Sequence, residues 1–294
     1  RDPPRRPAPG TVGGCAVRTP PDFVIIGAMK CGTSTLQAQL AAQPGIFMTT
    51  PKEPNYFSDD DVFAQGEAWY DGLFAEAAPG DLTGEASTHY TKLPTHPKTL
   101  ERMAPRLAAP RFIYLMRDPL ERAISHYIHE WSMGVLGGDP VAAFDSHPEL
   151  VDYSRYAMQL APFVERYGQA AILLLRLEQM RADPQGTLDR VGAVLCRDGL
   201  VWDHGLGAQN VSAERFRPLP LHGLIVGNPV ATALRRALVP KALRRRIRKS
   251  RQMQDRPELP ETLKARLREV FAEDQARLAG LFPGDPALTA GQAA

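Results

Sequence analysis

The sequence predicts a three-layer α/β fold with a central, mainly parallel sheet flanked by helices. Short apolar runs rich in β-branched residues, at Phe23–Ile26, Arg111–Met116 and Ala171–Leu175, read as strands buried on both faces. Helical patterns separate them, the clearest over Leu36–Ala42, Tyr153–Tyr167 and from Asp183-Pro184 to about Cys196. Strand and helix alternate from residue 22 to 196, as parallel strands joined by crossover helices require. A chain of 294 residues at 44% hydrophobic can bury a full core. The expected organisation is a Pro- and Arg-rich flexible leader over 1–21, one domain over 22–283 with a basic helical lobe at 215–255, and a flexible tail over 284–294.

Each element follows from its local chemistry. The first strand runs into Gly27-Ala-Met-Lys-Cys-Gly-Thr-Ser-Thr35, where two glycines bracket four residues and a hydroxyl cluster opens a helix that ends before Pro44. Strand, glycine loop and helix together aim free backbone N–H groups and a helix N-terminus at one point, which suits a phosphate. The loop resembles a Walker A motif but has Thr33 where that motif has lysine after its second glycine; its only lysine is Lys30, inside the loop. A nucleotide without a β,γ-phosphate chain fits this arrangement better than ATP.

Further along, Phe47–Phe57 is broken by Pro51 and Pro54 and reads as a loop. Val62–Ala77 has a helix-like aromatic pattern, Asp81–Glu85 is a short strand, and His96–Leu107 is a helix. The strand Arg111–Met116 leads straight into Arg117-Asp-Pro-Leu-Glu-Arg-Ala-Ile-Ser-His-Tyr127, where Pro119 suits the first turn of a helix. That helix sets Arg117 at the strand's C-terminal end and Ser125 about two turns on along the same side. Ligands of open α/β sheets sit outside the strand C-termini, so this pair points to the crevice of the glycine loop. Gly134–Asp139 reads as a loop, and Pro260–Leu281 as an amphipathic closing helix.

The glycine loop with Lys30 resembles the 5′-phosphate loop, and Arg117-Asp-Pro-x-Glu-Arg-x-x-Ser-x-Tyr127 the 3′-phosphate motif, of the sulfotransferases that use 3′-phosphoadenosine-5′-phosphosulfate (PAPS). Tyr153–Leu160 and Phe271-Ala-Glu-Asp-Gln275 are also similar, so the resemblance spans roughly residues 22–283 and is nearest to the glycan-modifying, heparan-type and bacterial branch. It implies a P-loop α/β fold and sulfuryl transfer from PAPS, leaving adenosine 3′,5′-bisphosphate, to a hydroxyl or less readily an amine of a glycan, lipid or secondary metabolite. By resemblance Lys30 stabilises the leaving phosphate, the N–H groups of Cys31 and Gly32 with Thr33, Ser34 and Thr35 hold the 5′-phosphate, and Arg117, Ser125 and Arg215 hold the 3′-phosphate. Glu53, in Pro51-Lys-Glu-Pro-Asn-Tyr-Phe57, matches the catalytic glutamate of glycosaminoglycan sulfotransferases and is the expected general base. Fixed cations do the neutralising, so no metal is required.

In Gly84-Glu-Ala-Ser-Thr-His-Tyr90 the chain departs from some glycan enzymes, with Ala86 in place of a lysine and Thr88 where proline is common; Glu85 and His89 are the expected acceptor contacts there. Helix-terminal N–H groups and Lys30 are expected to lower the pKa of Cys31. His126 and His129, three apart with no further ligands near in sequence, read as packing or surface residues. From Arg215 to Arg251 there are eleven Lys or Arg and no acid, with apolar residues interleaved at Leu234, Leu238, Leu243 and Ile247. This pattern fits a solvated face, an anionic acceptor site, or membrane-surface or polyanion contact through 234–251. A net charge of +2 gives no global field for nucleic acid, and no apolar run is long enough to span a bilayer. Three cysteines point to a reducing, cytoplasmic setting, with a membrane-anchored luminal form as the alternative if a segment precedes Arg1. A P-loop kinase or NTPase, and a non-catalytic anion- or membrane-binding protein on the same fold, stand as the competing functions.

Overall fold

The computed structural model describes residues 21–207 and 258–289. The expected leader, the basic lobe with Arg215, and the stretch 234–251 lie wholly or almost wholly outside the described residues. Five strands, β1 (Phe23–Gly27), β2 (Ile46–Met48), β3 (Leu82–Ala86), β4 (Arg111–Met116) and β5 (Ile172–Arg176), form one sheet in the order β2-β3-β1-β4-β5, every pairing parallel. Every residue of β1 is buried, and β4 is buried from Phe112 to Met116, as strands covered on both faces must be. Phe23 aligns with Gly84 on one side and Arg111 on the other. Its ring lies so close to Gly84 that a Cβ there would meet it at 2.3 Å.

Helices α1 (Thr33–Ala41), α2 (Asp60–Phe63), α3 (Glu67–Gly72), α4 (Thr99–Met103), α5 (Pro119–Met133), α6 (Pro140–Ser146), α7 (Glu149–Asp152), α8 (Tyr156–Tyr167), α9 (Leu177–Ala182), α10 (Pro184–Leu195), α11 (Glu261–Leu281) and α12 (Pro286–Thr289) complete the described fold. Helix α1 packs on β1 and β2, and α10 on β4 and β5. The ring of Phe112 meets Phe163 edge-on at 5.3 Å and Tyr167 at 5.1 Å, which seats α8 on the sheet. A second, smaller core joins α5, α6 and α11 through Ile124, Tyr127, Phe144, Leu263, Leu267 and Phe271. Among the described residues no helix is long and apolar enough to cross a membrane.

Local chemistry also accounts for the departures from expectation. Ile46–Met48, read as part of a loop, is an edge strand paired with β3 and ends ahead of the prolines. The segment 62–77 is two short helices rather than one, parted at Gly66, whose φ of 83° belongs to the left-handed half of conformational space. The helix expected over 96–107 shortens to Thr99–Met103. Past Gly134 the chain forms two further helices, the first started by Asp139, whose side chain accepts from the Val141 N–H, and Pro140. Within the expected flexible tail, Pro286–Thr289 is a helical turn with Ala287 fully buried.

Candidate functional site

Three strand exits meet at the C-terminal edge of the sheet. The chain leaves β1 toward β2 on one side, whereas β4 leads to β5 on the other, so the crevice between β1 and β4 is a topological switch point. The loop 28–32 crosses it and is tied to β4 by the Ala28 N–H donating to the Leu115 carbonyl, 2.7 Å. Lys30 has φ 72° and Gly32 φ 92°. That φ favours glycine at position 32, where a Cβ would also press on Leu177 Cδ1 at 2.8 Å. Helix α1 starts directly at Thr33 with no side-chain cap and no acid in its first turn. Its N-terminal dipole is therefore left for an anion.

Arg117 stands at the exit of β4, with one guanidinium nitrogen donating to Glu121 Oε2 at 3.2 Å and Nε buried without a hydrogen-bond partner. A buried guanidinium N–H lacking an acceptor is a costly arrangement that a phosphate oxygen would relieve. Ser125 lies two turns along α5 and is buried. Tyr156 was given no site role from the sequence, yet it links the loop 28–32 to Arg117. Its hydroxyl donates to the Arg117 carbonyl at 3.0 Å, accepts from the Arg117 N–H at 3.4 Å, and lies 3.7 Å from Cys31 Sγ.

Glu53 occupies the loop after β2 and is pinned to the exit of β3. Its N–H donates to the Ala86 carbonyl at 3.0 Å, and its Oε1 accepts from Lys52 Nζ at 2.5 Å and from Thr88 Oγ1 at 3.2 Å. Like Lys30, Glu53 has left-handed backbone, with φ 61°. Burial opposes its ionisation, but the ion pair and hydrogen bond of Lys52, with Lys92 and His89 beyond, outweigh that and hold the carboxyl below its ordinary pKa. Lys92 is a site group the sequence reading missed, its ammonium over the Tyr153 ring at 5.8 Å. Burial brings its pKa down to about 8, although Glu53 raises it. A lone lysine in a Thr-Lys-Leu-Pro stretch carries no motif that would have marked it.

Other expectations change. The Cys31 thiol is pushed up to about 11 rather than lowered, because the side chain is fully buried and desolvation exceeds the pull of Arg122. Glu85, expected as an acceptor contact, is turned into the core. Its carboxyl is fully buried and accepts from Tyr70 at 2.6 Å, Ser87 at 2.9 Å and Tyr90 at 2.9 Å. Burial raises its pKa to about 7 despite those three donors. His89 lies beside Glu53, its ring stacked on His96 at 4.8 Å and its Nδ1 buried without a partner. Burial holds it neutral, down to about 4. His126 is a packing residue as expected, stacked on Tyr153 at 5.5 Å. Among the described residues no group of three His, Cys, Asp or Glu is arranged to hold a metal ion.

Comparison with known proteins gives the family and the fold. The family model described as the sulfotransferase domain matches residues 20–198. The mouse heparan sulfate glucosamine 3-O-sulfotransferase 6 is 28% identical over 195 residues, covering 64% of this chain and 55% of that protein. The membrane-associated sulfotransferase kil1 of Dictyostelium discoideum is 36% identical over 110 residues, covering 36% of this chain and 22% of its own length. The chain thus spans at most about half the length of these relatives. In fold it is similar to a sulfotransferase of Alicyclobacillus acidocaldarius, with TM-score 0.65 and 21% identity over 90% of this chain and 96% of that one.

Proposed function

The chain belongs to the sulfotransferase family, and on that premise we propose that it transfers a sulfuryl group from PAPS to a hydroxyl, or less readily an amine, of a glycan, lipid or secondary metabolite. A glycan hydroxyl is the first acceptor to test, since one relative is named for sulfating heparan sulfate glucosamine. One observation carries the assignment of roles. Lys30 and Glu53, from the exits of β1 and β2, are two of only four non-glycine residues with positive φ among the described residues. Such conformations cost about 1–3 kcal/mol each and persist where function needs a side chain aimed.

PAPS supplies an activated sulfuryl group on a phosphate leaving group. The loop N–H groups, Cys31 and Gly32 included, with Thr33, Ser34 and Thr35, hold the 5′-phosphate. Arg117 offers a planar, permanently charged fork to the 3′-phosphate and Ser125 a hydroxyl. Arg215 is the further 3′-phosphate ligand implied by resemblance. Lys30 neutralises the charge that grows on the leaving oxygen, and so stabilises the transition state more than the ground state. The two hydrogen bonds to the Glu53 carboxylate within the described residues both fall on Oε1, which leaves Oε2 to take the acceptor proton. Lys52 and Lys92 keep that carboxyl ionised at neutral pH, as a base requires.

Calorimetric titration with adenosine 3′,5′-bisphosphate beside magnesium-ATP tests the donor. The bisphosphate is expected to bind and ATP to bind weakly. Arg117→Ala is expected to weaken bisphosphate binding about 10- to 100-fold, the range for hydrogen bonds to a charged group. A preference for magnesium-ATP would overturn the PAPS assignment and restore the kinase reading.

A further inference from the structure

The exit of β3 grips the loop that carries Glu53 at three consecutive residues. The Ala86 carbonyl accepts from the Glu53 N–H at 3.0 Å, Ser87 Oγ accepts from the Asn55 N–H at 3.1 Å, and Thr88 Oγ1 donates to Glu53 Oε1 at 3.2 Å. Ser87 in turn donates to Glu85 Oε2, and Glu85 is held from its other side by the hydroxyls of Tyr70 and Tyr90. Glu85, Ser87, Thr88 and Tyr90 are all buried, so the assembly is rigid where Glu53 itself is half-exposed. Glu53 and Asn55 both hold left-handed backbone, a conformation that a loop keeps only when its surroundings over-determine it. Of the two partners on Glu53 Oε1, Lys52 has a flexible stem, whereas Thr88 is a short, stiff side chain on a helical turn.

We propose that Thr88 is a positioning residue for Glu53, its hydroxyl fixing Oε1 so that Oε2 faces the acceptor, with Glu85 acting through Ser87 as the anchor of the same turn. This rests on the reading of Glu53 as general base. A hydroxyl donating to a carboxylate both orients it and favours its ionised form, so removing the donor must change the titration of Glu53 as well as its aim. A purely structural threonine would leave that titration unmoved. The other titratable groups facing Glu53 are Lys52, Lys92 and the neutral His89, and Thr88→Val alters none of them.

The test follows the Glu53 carboxyl carbon by NMR in glutamate-labelled protein saturated with adenosine 3′,5′-bisphosphate, the signal being assigned by its loss in Glu53→Gln. In Thr88→Val the Glu53 titration is expected to move up by about one pH unit, and Thr88→Ser is expected to return it. With PAPS and de-O-sulfated heparan sulfate as the probe pair, kcat is expected to fall about tenfold while KM for PAPS stays. Glu85→Gln is expected to lower kcat in the same way. Thr88→Ala is the second variant, should the valine methyl disturb the turn, with the same upward shift expected. An unmoved Glu53 titration in a folded Thr88→Val or Thr88→Ala overturns the proposal alone. Full turnover in Glu53→Gln overturns the base assignment and this proposal with it.

Discussion

At the level of single residues, position could be read wherever a motif constrained the backbone. The positions of Lys30, Arg117 and Ser125, whose roles are proposals, were legible because strand, glycine loop and Pro-started helix fix where such side chains stand. Lys92 and Tyr156 were not, since their roles come from three-dimensional neighbours rather than local spacing. Cys31 shows the limit of local reasoning most plainly. Its place between Lys30 and a helix start argues for a reactive thiolate, but complete burial against Tyr156 reverses the sign. Alkylation at pH 8 followed by peptide mapping is therefore expected to modify exposed Cys196 and spare Cys31; rapid labelling of Cys31 would contradict this burial. Glu53→Gln is expected to keep bisphosphate affinity while lowering kcat about 10²- to 10⁴-fold, read by product formation and calorimetry on one preparation.

Among the elements, those with a local pattern were legible, the short β3 included (read as Asp81–Glu85), and those without one were not. Apolar runs announced β1, β4 and β5, and Asp183-Pro184 announced α10, where the Asp183 carboxylate accepts from the Gly186 N–H. The three-residue β2 was hidden beside prolines, because an edge strand that short is specified by its partner β3 more than by its own residues. Helix α8 could be read from its apolar face, but its start could not. Arg155 at its N-cap position offers no side-chain cap; instead Asp274 of α11 accepts from the Ala157 and Met158 N–H groups at 2.8 and 3.2 Å. A cap borrowed from more than a hundred residues away leaves no local signature. Asp274→Ala is expected to destabilise the protein by about 1–2 kcal/mol, measured by urea denaturation, and an unchanged midpoint would show the cap to be dispensable.

For the whole molecule, layer order and strand direction followed from the alternation of patterns, whereas the polar cluster under the site did not. Glu85 is the most consequential part of that cluster for stability. Its folded-state pKa of about 7 lies above the ordinary glutamate value of 4.5. Its contribution to stability is therefore fully present below the unfolded value and is lost as pH rises through about 7. Neutral His89 and His126, both brought down to about 4, act in the opposite sense, since their contribution is lost as pH falls below their unfolded value near 6.5. The difference between wild type and Glu85→Gln isolates the first effect. Chemical denaturation from pH 5 to pH 8 is expected to show the wild type losing ground relative to Glu85→Gln as pH rises, and parallel profiles would refute it. The borrowed cap also bears on biosynthesis. Tyr156, which joins the loop 28–32 to Arg117, rides on the helix that Asp274 caps, so that helix lacks its cap until residues 261–281 have left the ribosome. A chain that stops before Glu261 therefore keeps all five strands of the sheet but loses the carboxylate that starts α8.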